Sequence, residues 1–495
     1  MLSTSESTEP PMATRQETPL RVVASRPIVN TIRQLLYSVT IFITLFLFVR
    51  TFFLEPFGVP TGSMATSFLG NHRECDCPRC GYRVVVGEPG PNEHNTLAGA
   101  TCPNCGERKI DLTTAREIPG DRLMVDKNVF QARKPRRWEV AVFRCPVDDS
   151  KPYVKRVVGL PGEAVQIVQG DILANGELQR KTLAECREVW IPVFDQAHAP
   201  PGGWGPRWLV RNIADPPRLP KIAIDTTAGP EILQGSDIVL DATTETTPVL
   251  GLTYRHWNLD LNHEQGISDW LAYNGAARRQ GAAVHDFAVT FDLEVTAGRG
   301  SFALRLQDGG ASAFVDFPVA TDEPARLSRD GGDTPAQYAV QLQPGKTYRI
   351  EYALFDRRAH VSVDGTLFGT GLDLPATRTD LTTRESVSHP VQMGVKGVRV
   401  VLHNFKIYRD VHYRSDGNNG VASAFQLGTE SYFLLGDNSN NSHDSREWAI
   451  AGVPERDFLG KPFLIHQPLR LGRMTVGGQE RTYQAIDWPR LRWVR

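Results

Sequence analysis

Tyr153-Val-Lys-Arg-Val-Val158 is a short run in which apolar residues stand on both sides of a lysine. Similar apolar runs occur at 123–126, 138–143 and 432–435, and Gly and Pro residues separate them. Short runs that are apolar on both faces are typical of strands inside a closed or sandwiched β structure. The chain is therefore predicted to be mostly β.

Lys155 is the unusual residue of this run. Tyr153 and Val157 share its face of the predicted strand, and the valines on the other face also favour burial. Burial disfavours the charged form of an amine, so we expect the pKa of Lys155 to fall from its usual value of about 10.4. A lysine that is neutral at the working pH can act as a general base. The alternative is an exposed strand on which Lys155 and Arg156 are ordinary surface charges.

A serine in a distinctive setting lies upstream, in Glu55-Pro-Phe-Gly-Val-Pro-Thr-Gly-Ser-Met64. Serine is a weak nucleophile, and it needs a base within hydrogen-bond reach and a group that stabilises the oxyanion. No convincing His/Asp pair accompanies Ser63 in the sequence. Lys155 is therefore the predicted base. Lys127 is a competing lysine, but it follows Asp126 and lacks apolar flanks.

A third polar segment, Gly436-Asp-Asn-Ser-Asn-Asn-Ser-His-Asp-Ser-Arg446, lies near the C-terminal end of the chain. The serine segment, the lysine segment and this loop follow one another in the order found in the bacterial type I signal peptidases. These are membrane-bound serine proteases with a Ser/Lys dyad, and the chain resembles them in all three segments. The stretch from Gly120 to Phe143 is also similar to a structural strand pair of that family.

The resemblance implies a role for each residue of the site. Ser63 would attack the scissile carbonyl, and Lys155 would be the general base. The oxyanion hole would consist of the backbone N–H of Ser63 and the hydroxyl of Thr61, which stands where the family has serine. In the third segment Ser442 would orient the lysine, and Asp444 with Arg446 would brace the loop.

Two departures from the family pattern affect the expected substrate preference more than the chemistry. The proline that usually follows the Ser-Met pair is missing from Ala65-Thr-Ser-Phe-Leu69, and Ser439-Asn440 replaces a frequent Arg-Asp pair. The resemblance implies a serine endopeptidase that removes signal peptides from exported preproteins and needs no cofactor for catalysis. The alternative is a membrane-tethered module that binds glycan or protein and carries a degenerate peptidase half.

An apolar segment, Leu35 to Val49, lies between Arg33 and Arg50. A membrane span needs about 20 residues, and Arg50 can snorkel so that 51–54 complete the span. We therefore predict a transmembrane helix over 31–54 in the cell membrane, in contact with lipid; the alternative is a buried core helix. Arginines precede the segment, so the positive-inside rule predicts a disordered cytoplasmic tail over 1–30 and an extracytoplasmic catalytic domain.

Charge and length exclude some functions and favour several domains. The chain has 495 residues, and its 55 basic and 56 acidic side chains nearly cancel. No basic field favours nucleic acid as a partner. A self-cleaving repressor, which also uses a Ser/Lys pair, would need a DNA-binding N-terminus, and the apolar span argues against it. The length is typical of about three domains.

Two Cys-Pro-x-Cys-Gly knuckles lie between the serine and lysine segments, in a stretch predicted to be a zinc-ribbon-like insert over 75–107. Their spacing suits a structural zinc ion held by four thiolates. The predicted ligands are Cys77, Cys80, Cys102 and Cys105, with Cys75 as a possible substitute. Disulfides are the alternative, because the segment is expected to lie outside the membrane.

Residues 207–415 are predicted to form an inserted β-sandwich of the jelly-roll type, which divides the catalytic domain into 55–190 and 425–495. The segment from Phe287 to Val295 alternates apolar and other residues, and Asp364-Gly365 indicates a hairpin turn. The pattern is similar to that of concanavalin-like sandwiches, so the expected partner is a glycan or a protein. Trp257 and His403 are candidate sugar contacts. The C-terminal segment 486–495 mixes Trp and Arg, which indicates either a membrane-interface segment or a terminal strand.

Overall fold

The computed structural model describes residues 27–89, 97, 99–108, 110–199, 207–212, 226–227, 231–244, 249–258, 263–275, 281–332 and 334–494. The chain divides into two compact units, Met1–Phe53 and Leu54–Arg495. Most of the predicted tail lies outside the described residues.

The N-terminal unit contains one long helix, Pro27–Phe52. Within the described part of the chain it is the one helix long and apolar enough to cross a membrane, with a mean hydropathy of 2.0 over Asn30–Phe52. Its large apolar side chains are exposed along the whole segment. The alternative of a buried core helix is therefore wrong.

An eight-stranded antiparallel sheet, here named the catalytic sheet, contains all four apolar runs noted in the sequence. Its strands are Leu54–Gly58, Arg122–Asp126, Val140–Cys145, Asp148–Gly159, Ser431–Leu435, Val453–Pro454, Phe458–Ile465 and Arg492–Trp493. The strand that carries Lys155 lies between Val140–Cys145 and Ser431–Leu435. Leu435 pairs with Arg156, so the polar loop that begins at Gly436 leaves the sheet next to the lysine.

A fifteen-stranded sheet forms the sandwich. Its strands are Ile191–Asp195, Trp208–Asn212, Thr226–Thr227, Leu233–Gln234, Asp237–Asp241, Val249–Tyr254, Phe287–Asp308, Ala311–Val319, Ala325–Arg329, Ala336–Tyr338, Lys346–Phe355, Arg358–Val363, Thr366–Leu367, Leu372–Asp373 and Val391–Arg409. The first of these precedes residue 207 and pairs with the last one. The hairpin predicted at Asp364-Gly365 is present, because Val363 pairs with Thr366.

Two long strands, Phe287–Asp308 and Val391–Arg409, bend together and fold the sheet over one core. Phe291 in the first half of its strand contacts Phe302 in the second half, with ring centroids 6.0 Å apart. At the bend Gly298 has a φ of 99°, and a Cβ there would clash with the carbonyl of Gly397. Glycine is required at this point because no side chain fits between the two strands.

The sandwich shares a second core with the catalytic part of the chain. Trp138 and Val158 of the catalytic part belong to the same buried cluster as Ala353 and Phe355 of the sandwich. This contact explains why burial does not simply alternate along the strand Phe287–Asp308. Ala288 is buried in the second core, and the predicted core residues on either side of it are buried too. The prediction of a mostly β fold is confirmed, and the sandwich is a packed layer of the molecule.

The remaining elements are short. A four-stranded sheet is made of Ala164–Val168, Asp171–Ala174, Glu177–Leu178 and Phe425–Gln426. Hairpins are formed by His72–Asp76 with Arg83–Gly87, Trp257–Asn258 with His263–Glu264, and Leu469–Val476 with Gln479–Ile486. Short α-helices lie at Val129–Ala132, Leu183–Glu188 and Arg378–Thr382, and 3-10 turns at Gly62–Met64, Gln196–His198, Ala272–Asn274, Ser439–Asn441, Glu455–Asp457 and Trp488–Arg490.

Candidate active site

Ser63 lies in the 3-10 turn Gly62–Met64, four residues after the first catalytic strand ends at Gly58. Met64 is buried and anchors this turn, here named the nucleophile turn, against the core of the catalytic sheet. Thr61 immediately precedes it in an extended conformation and is exposed. Its side chain makes no capping hydrogen bond to the turn, and its place in an oxyanion hole stays a prediction.

Lys155 reaches Ser63 from the middle of its strand. Its Nζ lies 2.6 Å from Oγ of Ser63, although 92 residues separate the two in sequence. The lysine is only 2% exposed. Burial lowers the pKa of Lys155 to about 8, while the Asp444 carboxylate raises it and the Arg446 guanidinium lowers it further.

Lys127, the competing lysine, is placed elsewhere. Its Nζ lies 3.4 Å from the Glu55 carboxylate, and its side chain is about a third exposed, at 35%. Its surroundings are those of an ordinary surface ion pair. The geometry thus favours Lys155 over Lys127 as the partner of Ser63.

The polar loop holds the nucleophile turn through its backbone. Gly436 faces the turn so closely that a Cβ there would clash with the carbonyl oxygen of Ser63. The backbone N–H of Asn438 donates to the carbonyl of Ser63 at 3.0 Å, and its side-chain amide donates to the carbonyl of Gly62 at 2.9 Å. These bonds fix the backbone on both sides of the Ser63 Cα.

Asp444 is the centre of the buried supporting network. It accepts hydrogen bonds from Nε of Arg446 at 2.9 Å and from the hydroxyl of Ser442 at 2.7 Å. Burial by itself would raise the pKa of Asp444, but the Arg446 guanidinium outweighs it and holds that pKa below its usual range. The carboxylate therefore stays charged close to Lys155.

Ser442 differs from its implied role. Its hydroxyl donates to Asp444, and within the described part of the chain no hydrogen bond joins it to Lys155. Its influence on the lysine therefore passes through the Asp444 carboxylate, which it helps to hold in place.

One buried ion pair was not singled out from the sequence. The Arg156 guanidinium donates to both carboxylate oxygens of Asp437, at 2.8 and 2.6 Å, and also to the carbonyl of Trp138. The pair ties the lysine strand to the start of the polar loop. The sequence did contain a signal for this ion pair, because Arg156 follows Lys155 directly and Asp437 follows Gly436 directly.

The four predicted metal ligands form one cluster. The Sγ atoms of Cys77, Cys80, Cys102 and Cys105 lie within 4.8 Å of one another, in a position to hold a metal ion. Cys77 and Cys105 are 3.6 Å apart and Cys80 and Cys102 3.7 Å apart, whereas a disulfide bond is about 2.05 Å long. Zn–S bonds of about 2.3 Å in a tetrahedron give S···S edges of about 3.8 Å. The thiol spacing therefore fits zinc better than disulfides.

The two knuckles have the same backbone geometry. The N–H of Gly81 donates to the carbonyl of Cys77, and that of Gly106 donates to the carbonyl of Cys102, both at 2.9 Å. Both glycines have positive φ, 70° and 81°. Cys75 lies on the adjoining strand and is not part of the cluster of four.

The candidate sugar contacts of the sandwich are engaged with other side chains. The Arg255 guanidinium lies over the Trp257 ring, 4.2 Å from its centroid. His403 contacts the carboxylates of Asp237 and Glu294 at 3.1 and 3.0 Å. A glycan or protein ligand of the sandwich stays a prediction.

At the C-terminal end the terminal strand is present, whereas a membrane-interface segment stays a prediction. Arg492–Trp493 pairs with Phe458–Ile465 as a terminal strand, but the rings of Trp488 and Trp493 are each 69% exposed.

Two segments of the chain match a family of known proteins. The family model "Signal peptidase, peptidase S26" matches residues 113–189 and 385–466, which include Lys155 and the polar loop. Ser63 lies before the first matched segment. The chain is also similar to signal peptidase I of Rickettsia typhi, with 30% identity over 153 residues, and of Rickettsia akari, with 28% over the same length. Each alignment covers 31% of this chain and 47% of the relative, so the chain spans less than half the length of these relatives.

Solved structures give only weak similarities. The carbohydrate-binding module CBM66 of Bacillus subtilis is 19% identical, with a TM-score of 0.19, covering 26% of this chain and 77% of the module. The galectin LEC-6 of Caenorhabditis elegans is 15% identical, with a TM-score of 0.19, covering 24% and 82%. These scores carry no conclusion about the sandwich. The lysine strand and the polar loop thus lie in the two segments that match the family model for signal peptidases of the peptidase S26 type, and a further β structure separates these segments.

Proposed function

We propose that the protein is a serine endopeptidase of the type I signal peptidase kind, with Ser63 as nucleophile and Lys155 as general base. The observation that carries the proposal is the 2.6 Å approach of the buried Lys155 amine to Ser63 Oγ. A pKa of about 8 leaves a useful fraction of this amine neutral near pH 7. The match to the peptidase S26 family supports the same reaction class.

The proposed reaction begins when neutral Lys155 takes the proton of Ser63 and Oγ bonds to the scissile carbonyl carbon. The negative charge on the carbonyl oxygen is stabilised by the N–H of Ser63 and the hydroxyl of Thr61. The Lys155 ammonium then gives its proton to the leaving amine as the C–N bond breaks. Water, deprotonated by Lys155, hydrolyses the acyl-enzyme and restores Ser63.

The proposed substrates are exported preproteins with small side chains at the first and third positions before the cut, as in Ala-x-Ala. The helix Pro27–Phe52 would anchor the enzyme in the cell membrane, with its N-terminus in the cytoplasm and the catalytic part outside. An enzyme and a substrate held in the same bilayer meet at a raised effective concentration.

We also propose that the cysteine cluster binds a structural zinc ion. Four thiolates complete a tetrahedral shell and leave no position for a reacting water, so the metal would stabilise the ribbon and take no part in the reaction.

The test is cleavage of a preprotein with an Ala-x-Ala site by the detergent-purified protein. Ser63→Ala and Lys155→Ala should each lower kcat by a factor on the order of 10⁴ or more, because each removes a group that bonds or moves a proton. Lys127→Ala is the matched control and should cleave as the wild type does. Cleavage by a pure Ser63→Ala or Lys155→Ala variant would exclude the dyad, and a folded wild type that cuts no preprotein would exclude the function.

A further inference from the structure

A turn from the sandwich region reaches the nucleophile turn. It is the 3-10 turn Ala272–Asn274, which lies outside both segments matched by the family model. The side-chain amides of Asn274 and Asn438 exchange two hydrogen bonds, at 2.9 and 2.7 Å. Asn438 is the residue that holds the carbonyls of Gly62 and Ser63. Two amide side chains thus connect the insert to the nucleophile.

Tyr273, the neighbour of Asn274, fills a slot that only glycine leaves open. A Cβ at Gly62 or at Gly87 would clash with the Tyr273 ring. The tyrosine hydroxyl accepts a hydrogen bond from the N–H of Gly70 at 3.1 Å. Tyr273 therefore contacts three places: the nucleophile turn at Gly62, the segment after that turn at Gly70, and the end of a ribbon strand at Gly87.

The segment before this turn is held by the sandwich and by the polar loop. The buried Arg409, at the end of the last sandwich strand, donates to the carbonyls of Asp269 at 3.0 Å and Trp270 at 3.2 Å. The Asp269 carboxylate accepts a hydrogen bond from the amide of Asn440 at 3.2 Å. Asn440 stands where aspartate is frequent in the family, and a second carboxylate there would face Asp269. The asparagine at position 440, which departs from the family pattern, thus suits the contact between the insert and the polar loop.

We propose that Asn274 is a positioning residue of the peptidase site: through Asn438 it fixes the nucleophile turn, and the catalytic part needs the insert for full activity. This inference rests on the proposed function. Peptidase rates are sensitive to nucleophile position, and a displacement of about 1 Å can lower a rate about a hundredfold. Among the described residues the side-chain hydrogen bonds of Asn274 go to Asn438 and not to Ser63 or Lys155, so its loss should leave the pKa of the lysine unchanged.

The first test compares Asn274→Ala and Asn274→Asp with the wild type. Ala removes both of the paired bonds, whereas Asp keeps the size of the side chain and the oxygen that accepts from Asn438 but loses the amide that donates to Asn438. We expect kcat to fall about tenfold in each, with KM, the pH profile and the unfolding midpoint unchanged. Gln337→Ala, an exposed amide on another strand of the insert, is the matched control.

A double-mutant cycle and an exchange measurement separate positioning from loss of packing. Asn438→Ala and the double variant with Asn274→Ala should have nearly the same kcat, because the two amides act as one unit. Hydrogen–deuterium exchange of the peptide covering 61–65 should be faster in Asn274→Ala and unchanged in Gln337→Ala.

The outcomes distinguish the two proposals. A wild type that cuts no preprotein removes the proposed function, and the exchange of 61–65 still tests the contact. If the wild type cleaves and Ser63→Ala does not, but Asn274→Ala matches the wild type in kcat and exchange, the inference is wrong. Additive losses in the double variant, or a lower unfolding midpoint that accounts for the loss, would also overturn it.

Discussion

Lys155 has both the position and the surroundings that a lysine base needs. Its amine contacts Ser63 Oγ and is almost fully buried, which disfavours the ammonium form. Burial is the largest effect and sets the direction of the pKa shift, while Asp444 and Arg446 act on the lysine with opposite signs. The ion pair thus braces the polar loop without turning Lys155 into a permanently charged residue.

The pKa of Lys155 predicts the pH dependence of cleavage. Because the folded-state pKa of Lys155 is about 8, kcat/KM should rise with pH up to about pH 8 and stay constant above it. In the unfolded chain the pKa of this lysine is higher, at 10.5. Between pH 8 and 10.5 the lysine therefore binds protons more fully in the unfolded chain than in the folded one, so its contribution to the free energy of unfolding rises with pH. Initial rates from pH 6 to 10 test this, and a midpoint near 10.5 would contradict it.

Asp444→Asn should destabilise the protein strongly. The substitution removes the buried carboxylate partner of Arg446 and leaves the guanidinium only its half-exposed partner Asp416, and breaking a buried ion pair in this way costs about 3–5 kcal/mol in the free energy of unfolding. Glu323→Gln, which breaks the exposed pair with Arg326, is the control and should cost about 0.5 kcal/mol or less. Denaturant unfolding measures both, and equal effects would show that the Asp444–Arg446 pair does not support the fold.

At the scale of elements, the ribbon is a small unit with little apolar surface of its own. Among the residues of the ribbon that the structure describes, the buried cluster contains nine, and three of them are the predicted ligands Cys77, Cys102 and Cys105. Such a core is too small to hold two knuckles together unless a metal or another cross-link joins them. The ribbon also docks on the strand Ile191–Asp195, because the side chain of Asn104 bonds the backbone N–H of Asp195 at 2.7 Å.

We therefore expect the purified protein to contain one zinc ion per chain, and a chelator to lower its melting temperature. Cys77→Ser should lose the zinc because one corner of the tetrahedron is removed. Cys75→Ser is the matched control, and it should retain the zinc because Cys75 lies outside the cluster. Metal analysis by mass spectrometry checks both variants. A zinc-free wild type with full thermal stability would exclude a structural metal.

At the scale of the molecule, buried ion pairs lie between the catalytic part and the sandwich. The ammonium of Lys181 contacts Asp356 at 2.9 Å and Asp410 at 2.7 Å, and Arg384 pairs with Asp171 and Asp308. Burial raises the pKa of Asp171 to about 7 and that of Asp410 to about 6, against the opposing charges of Arg384 and Lys181. These carboxyls therefore bind protons more readily in the folded state.

A carboxyl whose folded pKa is raised contributes stability below its unfolded pKa and loses that contribution as the pH rises through the folded value. For Asp171 and Asp410 this window runs from about pH 4 to about pH 7. Buried histidines with a lowered pKa, among them His285 and His412, act in the opposite direction, so the test compares a variant with the wild type. Asp171→Asn removes one of the raised carboxyls, so the change in the free energy of unfolding from pH 5 to pH 8 should be more positive in the variant than in the wild type. Denaturant titrations at the two pH values measure this change, and an identical change in both proteins would contradict the assignment.

The sequence predicted the main participants of the site, and it did so because each stands in a local pattern. The apolar neighbours of Lys155 indicate a buried amine, and the segments of Ser63 and Asp444 resemble the serine segment and the braced loop of the signal peptidases. Asn274 has no such pattern around it, since its amide matters only after the insert has docked on Asn438. The orienting role that the resemblance implied for Ser442 also depended on side-chain directions that local sequence does not specify.

The sequence by itself determined the mostly β fold, the apolar helix, the two cysteine knuckles and the order of the three motifs. Strand patterns, hydropathy and turn residues act over a few neighbouring positions, so they can be read locally. Only the tertiary structure decided that the insert packs against the turn that carries Ser63. Its buried contacts with the nucleophile turn join residues about 200 positions apart, as between Gly70 and Tyr273, and they exist only where separate elements pack together.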